Sequence, residues 1–232
     1  MRRGIVLLLA AGLMMPHAAH ALGERPWLTL NGVGGTYGMS DLNSEIDAFN
    51  AANAGSGVSF PHVDSGYSLG GAFGFETSGR WNIGLGMDRL QASTLASDAS
   101  GSLEYRLGAN AWRTFVEYSL QPIGTSGIFV GGSLGFLQEK GHVIVSSPGQ
   151  EPLKLGTSGN APMFEGYAGG NWWLTPSFAV TGTAGYRVAR LKEFKLEGST
   201  FLMSNGEAMS LDFTGPTFRI GIKVAARSVS DF

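Results

Sequence analysis

The chain of 232 residues contains no cysteine. Disulfide staples, thiolate metal sites, a cysteine nucleophile and a lipid-modified cysteine are therefore excluded. Charge is sparse, 15% of residues, and the formal net charge of −2 grows more negative if Arg2 and Arg3 leave with a leader. This balance lacks the basic footprint of a nucleic-acid binder. Of the four histidines, two lie before residue 21, which leaves His62 and His142. Beyond that point no apolar run reaches the roughly 20 residues that a membrane-spanning helix needs. If this chain crosses a membrane, it does so as strands closed on themselves, because no sheet edge is tolerated in lipid.

Glycine is what the chain has in excess, 36 residues, about twice the usual share. The glycines are scattered through apolar stretches and form no linker. Glycine weakens helices and ordinary strands, so this usage calls for close backbone packing or a tightly curved sheet. The opening, MRRGIVLLLAAGLMMPHAAHALG, has the layout of a secretory signal: Arg2 and Arg3, an apolar core from Ile5 to Met15, Pro16, and the small-x-small site Ala19-His20-Ala21. Cleavage after Ala21 is expected, leaving residues 22–232 as one domain.

From Trp27 onward, segments of period-2 hydrophobicity alternate with turn or loop sequence. GYSLGGAFGFE puts Tyr67, Leu69, Phe73 and Phe75 on one face, and RWNIGLGMDRL does the same with Trp81, Ile83, Leu85 and Met87. The fourth segment, LEYRLGANAWRTFVEYSL, changes phase between Leu107 and Trp112, which predicts a bulge near Asn110 to Trp112. A kink is predicted at Gly215-Pro216, where the parity of Leu211 and Phe213 differs from that of Phe218. Eight strands emerge. Their connections alternate between long (39–65, 91–102, 139–162, 191–210) and short (TSG, the Pro122 turn, Thr175-Pro176). This is the layout of an all-β, eight-stranded antiparallel up-and-down transmembrane barrel with short periplasmic turns and long outer loops.

The last strand, FRIGIKVAARSVSDF, fixes which face is which. Phe218, Ile220, Ile222 and Val224 alternate with Arg219 and Lys223. In a membrane barrel the apolar set meets lipid, and the two cations enter a lumen shared with Glu76, Asp88, Glu165 and Arg187. Opposite signs there pair, since an isolated buried charge is costly. An eight-stranded lumen is just filled by side chains, so these six residues are read as a structural plug, with a narrow small-solute channel as the alternative. Ten aromatic residues near strand ends are expected in the two interfacial girdles: Trp27, Tyr37, Tyr67, Trp81 and Tyr105 in the first half, Trp112, Tyr118, Trp172, Trp173 and Tyr186 in the second.

Strand text such as FVGGSLGF, GTAGYRVAR and FTGPTFRIGI, with a terminal phenylalanine, resembles the small outer-membrane barrels of Gram-negative bacteria, the OmpA/OmpX type. The resemblance covers the whole mature chain. It implies a place in the outer membrane among lipid and lipopolysaccharide, a monomer, and delivery by periplasmic chaperones to the barrel-assembly machinery. Phe218, Ile220, Ile222, Val224 and Phe232 share one parity, as the family's C-terminal assembly signal requires; Ser228 and Ser230 stand on that face where the family has apolar residues.

Candidates for chemistry are few. In the first long connection Leu42, Ile46 and Phe49 recur at helical spacing behind Ser40 or Asp41 as caps, which predicts a short amphipathic loop helix. Asp41, Glu45 and Asp47 lack the spacing of a calcium loop, and Gly32-Gly34-Gly35 lies inside a strand and is no phosphate cradle. His62 beside Asp64 and Ser65 offers the residue types of a triad without its geometry, and His142 is placed in a loop. No cofactor or metal is expected, and the chain is read as non-catalytic, a structural or surface-interaction protein. The rivals are a lipid-A-modifying enzyme and a soluble lipocalin-like barrel with its apolar faces turned inward.

Overall fold

The computed structural model describes residues 25–55, 58–77, 80–98, 101–121 and 126–226. The signal segment, Ser228, Ser230 and Phe232 lie outside them. Long strands are β1 (Arg25–Thr36), β2 (Ser65–Glu76), β3 (Trp81–Asp98), β4 (Gly101–Ser119), β5 (Gly127–Ser146), β6 (Leu153–Thr175) and β7 (Phe178–Val188). A helix, α1 (Ser40–Ala52), lies between β1 and β2. Short strands β8 (Arg190–Leu191), β9 (Lys195–Leu196), β10 (Ser199–Thr200) and β11 (Leu211–Asp212) precede the last barrel strand, β12 (Gly215–Ala225). Each long strand pairs antiparallel with its neighbour, β7 pairs with β12 and β12 with β1, so eight strands close into a ring without a free edge. The expected fold is the observed one.

Side-chain direction follows strict alternation. Leu30, Leu134 and Ile220 stand outward, 61%, 63% and 70% exposed, and Phe218, Ile222 and Val224 share that outer wall. A lipocalin-like core would need these faces inside. In water so continuous an apolar surface is an aggregation hazard; in lipid it is the natural solvent contact.

The interior explains the glycine excess. A Cβ at Gly74 would lie 2.7 Å from the Trp27 ring, one at Gly131 would lie 2.8 Å from the Tyr167 ring, and one at Gly185 would lie 2.6 Å from Tyr167 Cβ. In a barrel this narrow, a large inward side chain fits only where the strand opposite it presents hydrogen.

The loop plan differs from expectation. β3 runs to Asp98 and β4 begins at Gly101; β5 runs to Ser146 and β6 begins at Leu153. Much of the sequence read as the second and third long loops therefore continues as strand, carrying the barrel beyond its apolar belt. Small and polar residues alternate there, as in Ala92, Thr94 and Ala96 inward against Gln91, Ser93 and Ser97 outward, and hydropathy does not mark such a pattern as strand. Only the first and last long connections remain as loops. They fold inward, where Leu42, Ile46, Phe60 and Val63 from the first pack with Phe194, Met209 and Phe213 from the last against Leu90, Leu107, Leu137 and Met163 of the walls. This apolar core caps the outer end.

No register shift interrupts β3–β4 or β4–β5, so the predicted bulge is absent. Leu103, Tyr105, Leu107, Arg113 and Glu117 share one parity and point inward. The apparent change of phase marks the level at which the interior turns from apolar cap to charged lumen. Leu211 and Phe213 repeat the case: both are fully buried and share the inward parity of Arg219. The chain does break between β11 and β12, where Thr214 Oγ1 accepts the Ala189 N–H at 3.1 Å.

Candidate functional site

The lumen is built from single inward positions on many strands. β12 supplies Arg219 and Lys223, β6 Glu165 and Tyr167, β3 Asp88, β2 Glu76, β7 Arg187, and β4 Arg113 and Glu117. Arg219 lies at the centre, 6% exposed. Its Nη1 and Nη2 donate to the two oxygens of Glu165 at 2.7 and 2.8 Å, and its Nε and Nη2 donate to Asp88 Oδ2 at 3.0 and 2.6 Å. The planar five-donor fork of arginine suits such a double carboxylate clamp, which a lysine could not reproduce. Arg113 Nε lies 3.4 Å from the same Asp88 oxygen, and the Thr217 hydroxyl donates to Glu165 Oε1 at 2.6 Å.

Toward the short turns Lys223 Nζ donates to Glu76 Oε1 at 2.7 Å, and Arg25 Nη1 lies 3.6 Å from Glu76 Oε2. The Lys223 ammonium also sits 4.3 Å from the centre of the Trp27 ring, and the Arg25 guanidinium 4.5 Å from that of Trp173. Both contacts have cation–π geometry. Tyr167 donates its hydroxyl to Glu117 Oε1 at 3.0 Å. Toward the cap, Arg187 Nε donates to the Phe213 carbonyl at 2.9 Å and its guanidinium faces the Tyr37 ring at 5.7 Å. All six charges placed in the lumen from sequence are buried there, and five of them form two paired groups; Arg187 instead ties the lumen to the broken strand above it.

Arg113 and Glu117 were missed, although Trp112 and Tyr118, both expected in the girdles, place them on the opposite, inner face by alternation. Of the ten girdle aromatics, Tyr67, Trp81, Trp112, Trp172 and Tyr186 are exposed on the outer wall, and Tyr118 packs against Trp81 with ring centres 4.9 Å apart. Trp27, Tyr37, Tyr105 and Trp173 instead face inward: Trp27 and Tyr37 are buried, Tyr105 packs against Phe60, and Trp173 against the Trp27 cluster. An aromatic residue near a strand end fits either face, and in these four the ring serves a cation or the cap. Space between the charges is scant. A cavity of about 40 Å³, lined by Trp27, Arg113, Glu117, Tyr167 and Lys223 among others, holds a few waters at most.

At the outer end, Leu42 and Ile46 of α1 are buried and Phe49 packs against Phe60 with ring centres 5.0 Å apart. Neither Ser40 nor Asp41 caps the helix: its N-cap is Met39, with no side-chain cap bond. The Asp41 carboxylate accepts from the Ser210 N–H and hydroxyl at 3.2 and 2.5 Å, and Glu45 one turn on accepts from the Ser204 N–H and hydroxyl at 3.1 and 2.9 Å. These bonds clip the helix to the last loop, and the one from Ser210 holds the Asp41 carboxyl below its usual range. Asp47 Oδ1 lies 2.8 Å from His62 Nε2, a bond that raises the imidazole's tendency to hold its proton. The three acids thus face separate partners, and Asp64 accepts from Asn43 at 3.2 Å instead of orienting His62. His142 is not in a loop; it stands outward on β5 opposite Arg106 and Gly156.

No protein-family model matches the chain, and no curated protein matches it in sequence. Among solved structures it is similar to the outer membrane protein OprG from Pseudomonas aeruginosa, at 10% identity over 88% of this chain and 95% of that one, with a TM-score of 0.48. It is also similar to Ail, the attachment invasion locus protein of Yersinia pestis, at 11% identity over 88% and 97%, TM-score 0.46. A third is the outer membrane protease OmpT from Escherichia coli, at 9% identity over 88% and 96%, TM-score 0.35.

Proposed function

We propose that this chain is an integral outer-membrane barrel, without catalytic activity, whose role is structural or is exercised through the capped outer end. The observation that supports it best is the pairing of an apolar outer wall with a charge-filled interior on one closed ring. Side chains occupy the lumen as a plug, and the cap presents one face of α1 and the last loop outward. The fold itself is compatible with many activities, so the assignment rests on how the lumen is filled.

Membrane fractionation, with gel migration before and after boiling, tests the first half. Extraction only by detergent and a heat-dependent change of mobility are expected; release into the soluble periplasmic fraction with no mobility change would refute it. Planar-bilayer conductance tests the plug. Steady unitary currents from the purified protein would favour a channel.

A further inference from the structure

We infer that the last loop, residues 190–212, is a proton-dependent lid latched by Glu139: it lies on the barrel mouth while that carboxyl holds its proton and lifts when the proton leaves. The inference rests on the capped outer end of the proposed reading and adds what regulates it. Glu139 is fully buried on the inner face of β5, opposite Ala109 of β4 and Gly159 of β6. Its Oε1 accepts from the Thr157 hydroxyl at 2.8 Å, and its Oε2 accepts no hydrogen bond among the described residues. Two glycines make room there. A Cβ at Gly141 would lie 2.7 Å from Glu139 Oε1, and one at Gly159 would overlap the Leu191 side chain.

This is also where the loop meets the wall. Leu191 of β8 covers Gly159, and Leu196 of β9 pairs with Thr157, the residue whose hydroxyl holds the carboxyl. The seam is short: Thr157 and Ser158 against Leu196 and Lys195, continued by the Glu197 N–H on the Gly156 carbonyl at 2.9 Å. Leu107 and Leu137 of the walls and Phe194 and Met209 of the loop close an apolar core around it. A carboxylate in such surroundings must be hydrated or neutralised. Water enters most cheaply through the β9 seam, since β4, β5 and β6 are paired along their length and local opening follows the weakest contacts.

The charged groups around Glu139 are engaged elsewhere. Below it Asp88, Arg113 and Glu165 belong to the Arg219 network. Arg187 of β7 donates to the Phe213 carbonyl, Tyr37 of β1 packs on Phe213, and Tyr105 of β4 packs on Phe60. Lys140 and His142 of β5 itself point outward. In the lid, Arg190 donates to Ser210, Asp212 accepts from Thr214, Glu197 takes the Gly156 N–H, Lys195 stands opposite Ser158, and Lys192, Glu193 and Glu207 are exposed. On α1, Asp41 and Glu45 hold Ser210 and Ser204, while Asp47 meets His62 and Asp64 meets Asn43. Burial therefore dominates at Glu139 and raises its carboxyl to about 7, with the Thr157 bond opposing. Opening restores water and the ordinary value of 4.5. The closed state is thus favoured below 4.5, loses ground as pH rises to about 7, and loses no more above it.

The chain has no cysteine, so one introduced thiol reports the lid. Met209→Cys, on the buried side of the loop, is compared with Ser199→Cys, on its exposed side, by rate of modification with a charged maleimide; the ratio of the two rates cancels the thiol's own titration. From pH 5 to pH 8 the ratio should rise about 70-fold, the linkage of a carboxyl that moves from about 7 closed to about 4.5 open. Glu139→Gln should abolish the rise, Thr157→Val should carry it to higher pH by removing the bond that opposes burial, and His62→Gln/His142→Gln should leave it as in wild type. A flat ratio in the parent, a rise that survives Glu139→Gln, or one lost with the two histidines would overturn the lid. The heat-dependent mobility change is checked for every variant at both pH values. Its absence throughout is failure of the barrel reading, whereas its loss only at pH 8 is unfolding of the barrel and overturns the lid.

Discussion

Replacing Arg219 by methionine isolates what the lumen network contributes. The substitution keeps an unbranched side chain of similar length and removes four hydrogen bonds of 2.6 to 3.0 Å that hold Asp88 and Glu165. Both carboxylates lie inside the wall, 1% and 4% exposed, so water cannot take over. What remains is Arg113 at 3.4 Å from Asp88 and the Thr217 hydroxyl on Glu165, one cation where two served. Breaking a buried pair by removing one partner costs about 3–5 kcal/mol, chiefly because it strands the other charge, whereas neutral replacement of the whole group is often nearly free. Arg219→Met should therefore lose about 3–5 kcal/mol, and Arg219→Met/Asp88→Asn/Glu165→Gln should recover most of it. The assay is urea unfolding of the chain in phospholipid vesicles, followed by tryptophan fluorescence and by the heat-dependent gel shift. A single variant within 1 kcal/mol of wild type, or a triple variant no better than the single, would show that charge stranding is not what the network prevents.

Two further outcomes follow from the interior. Gly131→Val would press a branched side chain against the Tyr167 ring and the Glu117 stem, both within about 3 Å of the added Cβ; a loss of about 1–3 kcal/mol is expected, measured by the same unfolding assay, and a Tyr167→Ala background should relieve it. Glu139 lies above the belt beneath the cap, its carboxylate accepting from the Thr157 hydroxyl at 2.8 Å, and burial raises its carboxyl to about 7. A carboxyl whose folded value is raised favours the folded state when protonated. Its penalty is absent below the unfolded value near 4.5, grows as pH rises through the window to about 7, and is constant above it. Glu139→Gln should then stabilise the barrel at pH 8 by up to about 3 kcal/mol and leave it unchanged at pH 4; equal effects at both would refute the reasoning.

Closure, strand number and the inward charges were legible because one physical rule governs them: alternation with the apolar set outward. The rule reads best where the two faces differ most, as in RIGIK, and it located Arg219 and Lys223 without ambiguity. It reads worst where both faces are alike. In β4 the apolar residues move from the inner face at Leu107 to the outer at Trp112, and in the last strand from Phe213 to Phe218. A sequence scan that takes apolar to mean outward must invent a bulge at the first site, whereas the second coincides with a real break between β11 and β12. The cap was hidden for a second reason, since its core joins Leu42 and Ile46 to Met209 and Phe213 from the far end of the chain, and no local pattern encodes that pairing.

Those two apparent phase changes are the same boundary met on two strands, and they divide the barrel by solvent. Below the boundary the outside is lipid and the inside is a polar network joined to a small inward cluster around Trp27 and Phe115, because the chain spends most of its apolar residues on the wall and fills the narrow lumen largely with long polar side chains facing glycines. Above it the outside is water, the apolar residues turn inward, and the walls enclose an ordinary hydrophobic core that the first and last loops complete. The inversion occurs within two residues on β4, between Ala111 and Arg113, and it lies level with the row at which the outer wall changes from Trp112 to Asn110. Inner and outer faces thus change character together, at the level where a membrane surface would meet the barrel.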